Sequence, residues 1–434
     1  MRIGLLGAGR IGAFHAGTLA AHPDVTELLI ADAEPERARQ VAAGSASAHG
    51  VSVRGPTGPG SSGPGASGPG ASGPGPSGQG AGRQVVSAVT VDRLFESRPD
   101  AVVIASATAA HAGLITRAAR AGIPAFCEKP VAVDLAGTVA ALDTVAKTGA
   151  LLQVGFQRRF DAGYAAAREA LRAGRVGRLH TVRTVSSDAA PPPAAYVPLS
   201  GGLYRDCLIH DFDIVRWVTG REVTEVYAVG TNEGDDFFRA AGDADTAAAL
   251  LTLEGGVLAT ATATRYHAAG YDVRMELAGT TDQLVVGVGP RAPLTSVEPA
   301  DGWDGETDRE AGGGGGAAGV GGREAVLETG QGAGSVEPPG RTGPATGSGA
   351  DAAACTRWPG FLERFAPAYR AELGAFLRVV RGELPNPCEG REALRALLVA
   401  EACELSRRER RPVAVAEVEA AAHACAAELN GVVV

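Results

Sequence analysis

Arg2-Ile3-Gly4-Leu5-Leu6-Gly7-Ala8-Gly9-Arg10-Ile11-Gly12 is the stretch that decides the fold. Residues 2–6 read as a short apolar strand and residues 11–21 as a helix, so G-x-G-x-x-G falls on a strand–turn–helix junction. Gly7 permits the tight turn, Gly9 lets a diphosphate approach the backbone, and Gly12 lets the helix pack on the strand. The helix start offers unbonded N–H groups and the positive end of its dipole to phosphate. A second strand, residues 27–31, ends in Asp32, 20 residues after Gly12. A carboxylate there accepts hydrogen bonds from ribose hydroxyls and repels a 2′-phosphate, which points to NAD over NADP. Arg37 and Arg39 lie nearby and soften that discrimination.

Working outward, residues 34–43 read as the next helix, and then the composition breaks. Residues 55–82 hold 12 Gly and 6 Pro among 28 positions. Glycine does not recur strictly every third residue, which excludes a collagen helix. Such a tract buries too little apolar surface to offset its chain entropy, so it is expected to be a disordered insertion. The β–α alternation then resumes. Residues 91–97 form a helix and 101–105 a buried strand; the loop from Ser106 to His111 lies on the ligand edge, and a helix runs to 121. Residues 123–128 are a strand, 135–148 a helix and 151–156 a strand. These units predict a doubly wound parallel (Rossmann) sheet over residues 1–155.

Residues 156–434 follow a different pattern. After a helix at 164–173, strands succeed one another at 179–187, 223–231, 246–253, 256–264, 272–278 and 283–286, with one embedded helix from 201. This is the signature of an α+β domain on a large, mostly antiparallel open sheet. Residues 300–355 are expected to be a second disordered insertion, and amphipathic helices within 361–410 close the fold.

Chemistry concentrates in two places. Ile123-Pro124-Ala125-Phe126-Cys127-Glu128-Lys129-Pro130 is an apolar strand ending in a carboxylate, a cation and a proline, at the edge where open α/β sheets bind ligands. Of the 40 basic residues only Lys129 and Lys147 are lysine. A lysine kept in an arginine-writing chain suggests an ammonium that hydrogen-bonds or hands over a proton at a reacting atom. The plain alternative is a surface lysine paired with Glu128. Pro130 is a candidate cis bond that would set the lysine's direction. In the second half, Asp206 and His210 stand at i and i+4 on one helical face, where a carboxylate could orient an imidazole base. Asp213 is the competing partner, and a solvated polar pair is the bland reading. A third metal ligand at convincing spacing is missing, so no metal is expected.

Bulk composition excludes other classes. The net charge is −9, and 45% of residues are hydrophobic, which argues against nucleic-acid or membrane-surface partners. No apolar run approaches the roughly 20 residues of a membrane span. Six scattered cysteines, without a C-x-x-C pair, and a start without a signal-peptide pattern suggest a cytoplasmic protein.

Four motifs together resemble the glucose–fructose oxidoreductase/inositol dehydrogenase/rhizopine-catabolism (Gfo/Idh/MocA) family. They are the glycine-rich start, Cys127-Glu128-Lys129-Pro130, Val154-Gly155-Phe156-Gln157-Arg158-Arg159-Phe160-Asp161 and Asp206-x-x-x-His210-x-x-Asp213. The resemblance covers the chain apart from its two insertions and is strongest to the family's bacterial inositol dehydrogenases. It implies catalytic roles for Lys129, Asp206 and His210. Arg158 would stand at the edge of the substrate pocket, with Tyr271 as a further pocket candidate. Cofactor contacts would fall to Gly7, Gly9, Arg10, Ile11, Gly12, Asp32, Ser106, His111, Glu128 and Lys129. It also implies assembly to a homotetramer or homodimer. The expected reaction is NAD-dependent oxidation of a cyclic polyol, with myo-inositol as leading substrate. Scyllo-inositol, an aldose, or a non-catalytic NAD-binding regulator are the alternatives. Gln157 departs from the apolar residue common in inositol dehydrogenases and leaves the polyol open.

Overall fold

The computed structural model describes residues 1–49, 52–53, 85–295 and 357–422. The insertions expected at 55–82 and 300–355 lie outside the described residues. Two seven-stranded sheets organise the chain.

The first alternates strands and helices: β1 (Arg2–Leu6), α1 (Arg10–Ala20), β2 (Glu27–Ala31), α2 (Pro35–His49), β3 (Ser52–Val53), β4 (Val85–Ala88), α3 (Val91–Glu96), β5 (Ala101–Ile104), α4 (Thr108–Arg120), β6 (Ala125–Glu128), α5 (Leu135–Thr148) and β7 (Leu152–Gly155). Strand order is β3-β4-β2-β1-β5-β6-β7, all parallel. All residues of β5, β6 and β7 are buried, which is why these strands read as unbroken apolar runs rather than alternating ones. Helix starts carry their own signals: the Asp134 side chain accepts from the Gly137 N–H at 2.7 Å to cap α5, and Thr90 caps α3. Gly149, at φ +65°, ends α5. The doubly wound expectation holds. It had overlooked β4, a four-residue strand emerging beside the Gly/Pro tract, and the two-residue β3.

The second sheet follows a 3₁₀ turn (Gln157–Phe160) and α6 (Ala162–Arg172). Its elements are β8 (Leu179–Ser187), α7 (Val197–Ser200), a π-helical turn (Tyr204–Leu208), α8 (Ile209–Thr219), β9 (Val223–Thr231), α9 (Asp236–Ala240), β10 (Thr246–Leu253), β11 (Leu258–Thr264), β12 (Asp272–Gly279) and β13 (Gln283–Val286). Then come α10 (Phe361–Val380), α11 (Gly390–Glu409) and β14 (Val413–Ala414). The order β13-β12-β8-β11-β10-β9-β14 is antiparallel except where β8 and β11 run parallel. β9, β10 and β11 alternate buried and exposed residues: one face carries α8 and α11, while the other shows Tyr227, Val229, Leu250 and Leu258 to solvent. The mostly antiparallel α+β expectation also holds. Helix α10 returns to the first sheet, where Phe376 and Leu377 join the core of α1, β1 and β2.

Candidate active site

The glycine-rich turn has the shape a diphosphate needs. Gly7 sits at φ +104°, and a Cβ there would lie 2.4 Å from the Ala105 carbonyl oxygen. A Cβ on Gly12 would lie 2.1 Å from the Gly7 oxygen, so only glycine lets α1 pack this close. At Gly9 a Cβ would meet nothing within 4 Å, leaving open space over the start of α1. Asp32, at the end of β2, accepts from the Ala8 N–H at 2.7 Å and the Glu34 N–H at 2.8 Å, and Arg37 reaches it at 3.4 Å. These residues fit a dinucleotide. Arg10 and Ile11 turn elsewhere: the Arg10 guanidinium lies 4.4 Å from the centre of the Phe361 ring, and Ile11 packs against the core.

Around β6 the expected ligand-edge residues separate into two roles. Glu128 turns inward, its carboxylate 2.7 Å from Nε2 of the buried His15 on α1. Glu372 of α10 is fully buried nearby, and burial followed by the Glu128 charge pushes its carboxyl well above the usual range. Glu128 thus braces the strand against α1 instead of facing the open edge. His111, 1% exposed, is also a brace, with Nδ1 2.7 Å from the Pro130 carbonyl and Nε2 3.1 Å from the Ser106 carbonyl. Burial holds its imidazole below the ordinary value, so it has one N–H to share between two acceptors. The Lys129–Pro130 bond is cis.

Lys129 crosses to the second constellation. Its Nζ donates to the Asp206 carbonyl at 2.7 Å and to Asp206 Oδ1 at 3.2 Å. The surface pairing with Glu128 is therefore not formed. The expected Asp206–His210 pair is not formed either. Tyr204–Leu208 is a π-helical turn, so the α-helical i,i+4 stacking is lost there, and Asp206 goes to stronger, charged donors. Oδ1 also accepts from the Tyr196 hydroxyl at 3.1 Å, and Oδ2 from Arg265 at 2.7 Å. Burial alone would raise the Asp206 carboxyl, but Lys129 and Arg265 outweigh it and bring the pKa down to about 2. Asp213 is no partner of His210, because both its oxygens accept from Arg159, at 2.8 and 2.5 Å.

His210, the second residue of α8, sets its ring edge-on to Phe156, the ring centres 5.9 Å apart. Nδ1 is buried without a hydrogen-bond partner among the described residues. Burial, then the charges of Lys129 and Arg158, hold its imidazole well below 6.5, so it is a neutral base at neutral pH. Arg158, 3% exposed, donates to Asp211 Oδ1 and to the Ser186 hydroxyl, each at 2.9 Å. Its guanidinium is engaged below the site rather than at a pocket edge, and it acts on His210 through its charge. Tyr271, 8% exposed, lies by the same group, its phenol raised by burial and by the nearby Asp188 and Asp211 carboxylates against the opposing Arg158.

Lys129, Asp206 and His210 therefore converge, with Tyr271 beside the neighbouring Arg158 and Asp188. Three members went unread in the sequence: Tyr196, Asp188 and Arg265, the last two standing just past the ends of β8 and β11. The only sequence signal was polar residues following strands, a signal many loops share.

Comparison with known proteins identifies relatives. A model of the oxidoreductase family's NAD-binding Rossmann fold matches residues 1–156, and a model of the GFO/IDH/MocA C-terminal domain matches residues 164–285. The chain is 32% identical over 408 residues to the myo-inositol dehydrogenase Hyg17 of Streptomyces leeuwenhoekii, spanning 92% of this chain and 96% of that one. It is 35% identical over 280 residues to the inositol 2-dehydrogenase of Rhizobium meliloti (strain 1021), spanning 64% and 73%. A crystal structure of a myo-inositol dehydrogenase from Corynebacterium glutamicum superposes with a TM-score of 0.68 at 28% identity, over 95% of this chain and 98% of that one.

Proposed function

Because this chain belongs to the GFO/IDH/MocA family of oxidoreductases, we propose that it oxidises one ring hydroxyl of myo-inositol to a ketone with NAD. The observation that carries the reading is the bond from Lys129 to Asp206, which brings an ammonium of the first sheet beside His210 of the second. NAD, when bound, supplies the nicotinamide ring that accepts a hydride. The dinucleotide would be held by the open turn at Gly9 and by Asp32, with Ser106 and Lys129 towards its nicotinamide end. His210, neutral and with hydrogen-bonding capacity to spare, takes the hydroxyl proton as the carbon gives up its hydride. Lys129 donates to the oxygen as negative charge develops there. Asp206 aims that ammonium, a role different from orienting the imidazole, and Tyr271 closes the polyol's side of the cleft.

The test is a panel of myo-inositol, scyllo-inositol and glucose with NAD and with NADP, read by absorbance of the reduced cofactor. Myo-inositol with NAD is expected to give the largest kcat/KM. Absence of turnover with every polyol, while NAD still binds, would identify a regulator and refute the dehydrogenase.

The same reading includes a homotetramer or homodimer in the cytoplasm. The exposed sheet face supports assembly: Leu250 lies opposite Tyr227, and Leu258 opposite Thr252 in the same sheet. Light scattering on the purified protein decides it. No helix among the described residues is long and apolar enough to cross a membrane.

A further inference from the structure

β8 and β11 run parallel with Thr264 opposite Ser187, so the next residues of each strand, Arg265 and Asp188, leave the sheet side by side. The Asp188 N–H donates to the Thr264 carbonyl at 2.9 Å and the Arg265 N–H to the Asp245 carbonyl at 2.8 Å, which fixes both bases. From there the Arg265 guanidinium, 4% exposed, spans two acids: Nη1 donates to Asp188 Oδ2 at 2.9 Å and Nη2 to Asp206 Oδ2 at 2.7 Å. The other oxygen of Asp206 accepts from Lys129. The result is a row of alternating charge, Asp188–Arg265–Asp206–Lys129, with its last member at the proposed reaction centre.

We propose that Arg265 is a positioning residue for the reaction: it holds one oxygen of Asp206 so that Lys129 shares that carboxylate with a second cation and stays free to reach the substrate oxygen. The proposal rests on the dehydrogenase reading and names a residue that the reading does not require. Without Arg265, the full charge of Asp206 would face Lys129 and hold its ammonium in a closed pair. Arginine suits the task because its planar fork meets two carboxylates at once and does not lose its proton. It cannot transfer a proton itself. Asp188 sets how much of the Arg265 charge reaches Asp206, so it tunes the same row from the far end. Among the other charged or titratable groups facing this row, Asp243 lies in the field of Arg265 and His111 in that of Lys129. Tyr196 bonds Asp206, Cys207 lies 3.7 Å from Asp188, and His210 and Tyr271 stand within its field.

The chain's own composition provides the measurement. Lys129 and Lys147 are its only lysines, and the Lys147 side chain is 76% exposed and bonded to Asp143. Isotope-labelled lysine therefore gives two side-chain nitrogen signals, one of them an internal reference. Removing a charge a few ångströms away changes the field at a neighbouring ammonium and so moves its nitrogen signal. In Arg265→Gln the Lys129 signal is expected to move from its wild-type position, with the Lys147 signal unmoved, NAD affinity retained and polyol kcat reduced about tenfold or more. In Asp188→Asn, Arg265 presents more of its charge to Asp206, and the Lys129 signal moves the opposite way. Arg265→Lys restores the Lys129 signal position, while kcat recovers only in part for want of the second contact. Loss of kcat in a folded Arg265→Gln without movement of the Lys129 signal would mean a merely structural ion pair and overturn the proposal. If Arg265→Gln does not fold, Asp188→Asn decides: a moved Lys129 signal supports the proposal and an unmoved one overturns it. The signal is readable even if no polyol is turned over, so the failure of the dehydrogenase reading and that of this proposal are told apart.

Discussion

Asp206→Asn removes one charge and keeps the shape, and it tests whether this carboxylate holds the site together. Its carboxyl is brought from 3.8 to about 2 by Lys129 and Arg265 against the cost of burial. At ~1.4 kcal/mol per pH unit, that shift corresponds to roughly 2–3 kcal/mol of folding stability. At 2–4 °C per kcal/mol for larger domains, the melting temperature is expected to fall by roughly 5–10 °C at pH 7. The pH dependence carries its own sign. A depressed carboxylate stabilises the fold above its unfolded pKa and loses that contribution as pH falls through the folded one. The gap between wild type and Asp206→Asn should therefore be constant from neutral pH down to about 5 and close between about pH 4 and 2. Scanning fluorimetry across pH measures it. Turnover is expected to drop by roughly 10²–10³-fold, because Lys129 loses the group that aims it, while NAD affinity holds. A melting-temperature gap that is absent at pH 7, or that persists undiminished below pH 3, would refute the charge-sharing argument.

Other outcomes follow from the same geometry. Lys129→Ala and His210→Ala should bind NAD normally by fluorescence titration and lose turnover by roughly 10³-fold or more; wild-type-like rates in either would remove it from the mechanism. Since burial, Lys129 and Arg158 depress the His210 imidazole, the acid limb of kcat/KM should lie below 6.5, and a limb above that value contradicts the assignment. Gly12→Ala forces a Cβ to within 2.1 Å of the Gly7 oxygen and should lower both stability and NAD affinity. Gly9→Ala meets no protein atom within 4 Å, so it should weaken NAD binding while leaving the melting temperature nearly unchanged. Asp211→Asn strips the charge partner from the buried Arg158 and is expected to cost about 3–5 kcal/mol in urea unfolding.

Much of the architecture was legible because its signals are local. An apolar run, three glycines and an acid at the next strand end lie within 32 residues of each other. β8, β9, β10 and β13 alternate or begin and end at turn residues, and their expected bounds coincide with the observed ones. β4 escaped because four residues of Val-Val-Ser-Ala after a low-complexity tract carry too short a period to read. The expected contact between Asp206 and His210 assumed an α-helical turn where the chain takes a π-helical one, and residue spacing does not reveal that difference.

The amino-acid order by itself determined the dinucleotide turn, the two-sheet plan and the three side chains most suited to proton and hydride chemistry. Each depends on backbone periodicity or on the intrinsic chemistry of one residue. Tertiary structure alone decided who partners whom. Arg158 went to Asp211, Asp213 to Arg159, Glu128 to His15, and Asp206 was divided between Lys129 and Arg265. In a buried charged cluster every cation competes for every carboxylate, and burial makes each pairing worth more than local spacing does. Which ones meet depends on sheet register, and above all on the parallel pairing of β8 with β11, strands whose paired residues lie 77 positions apart.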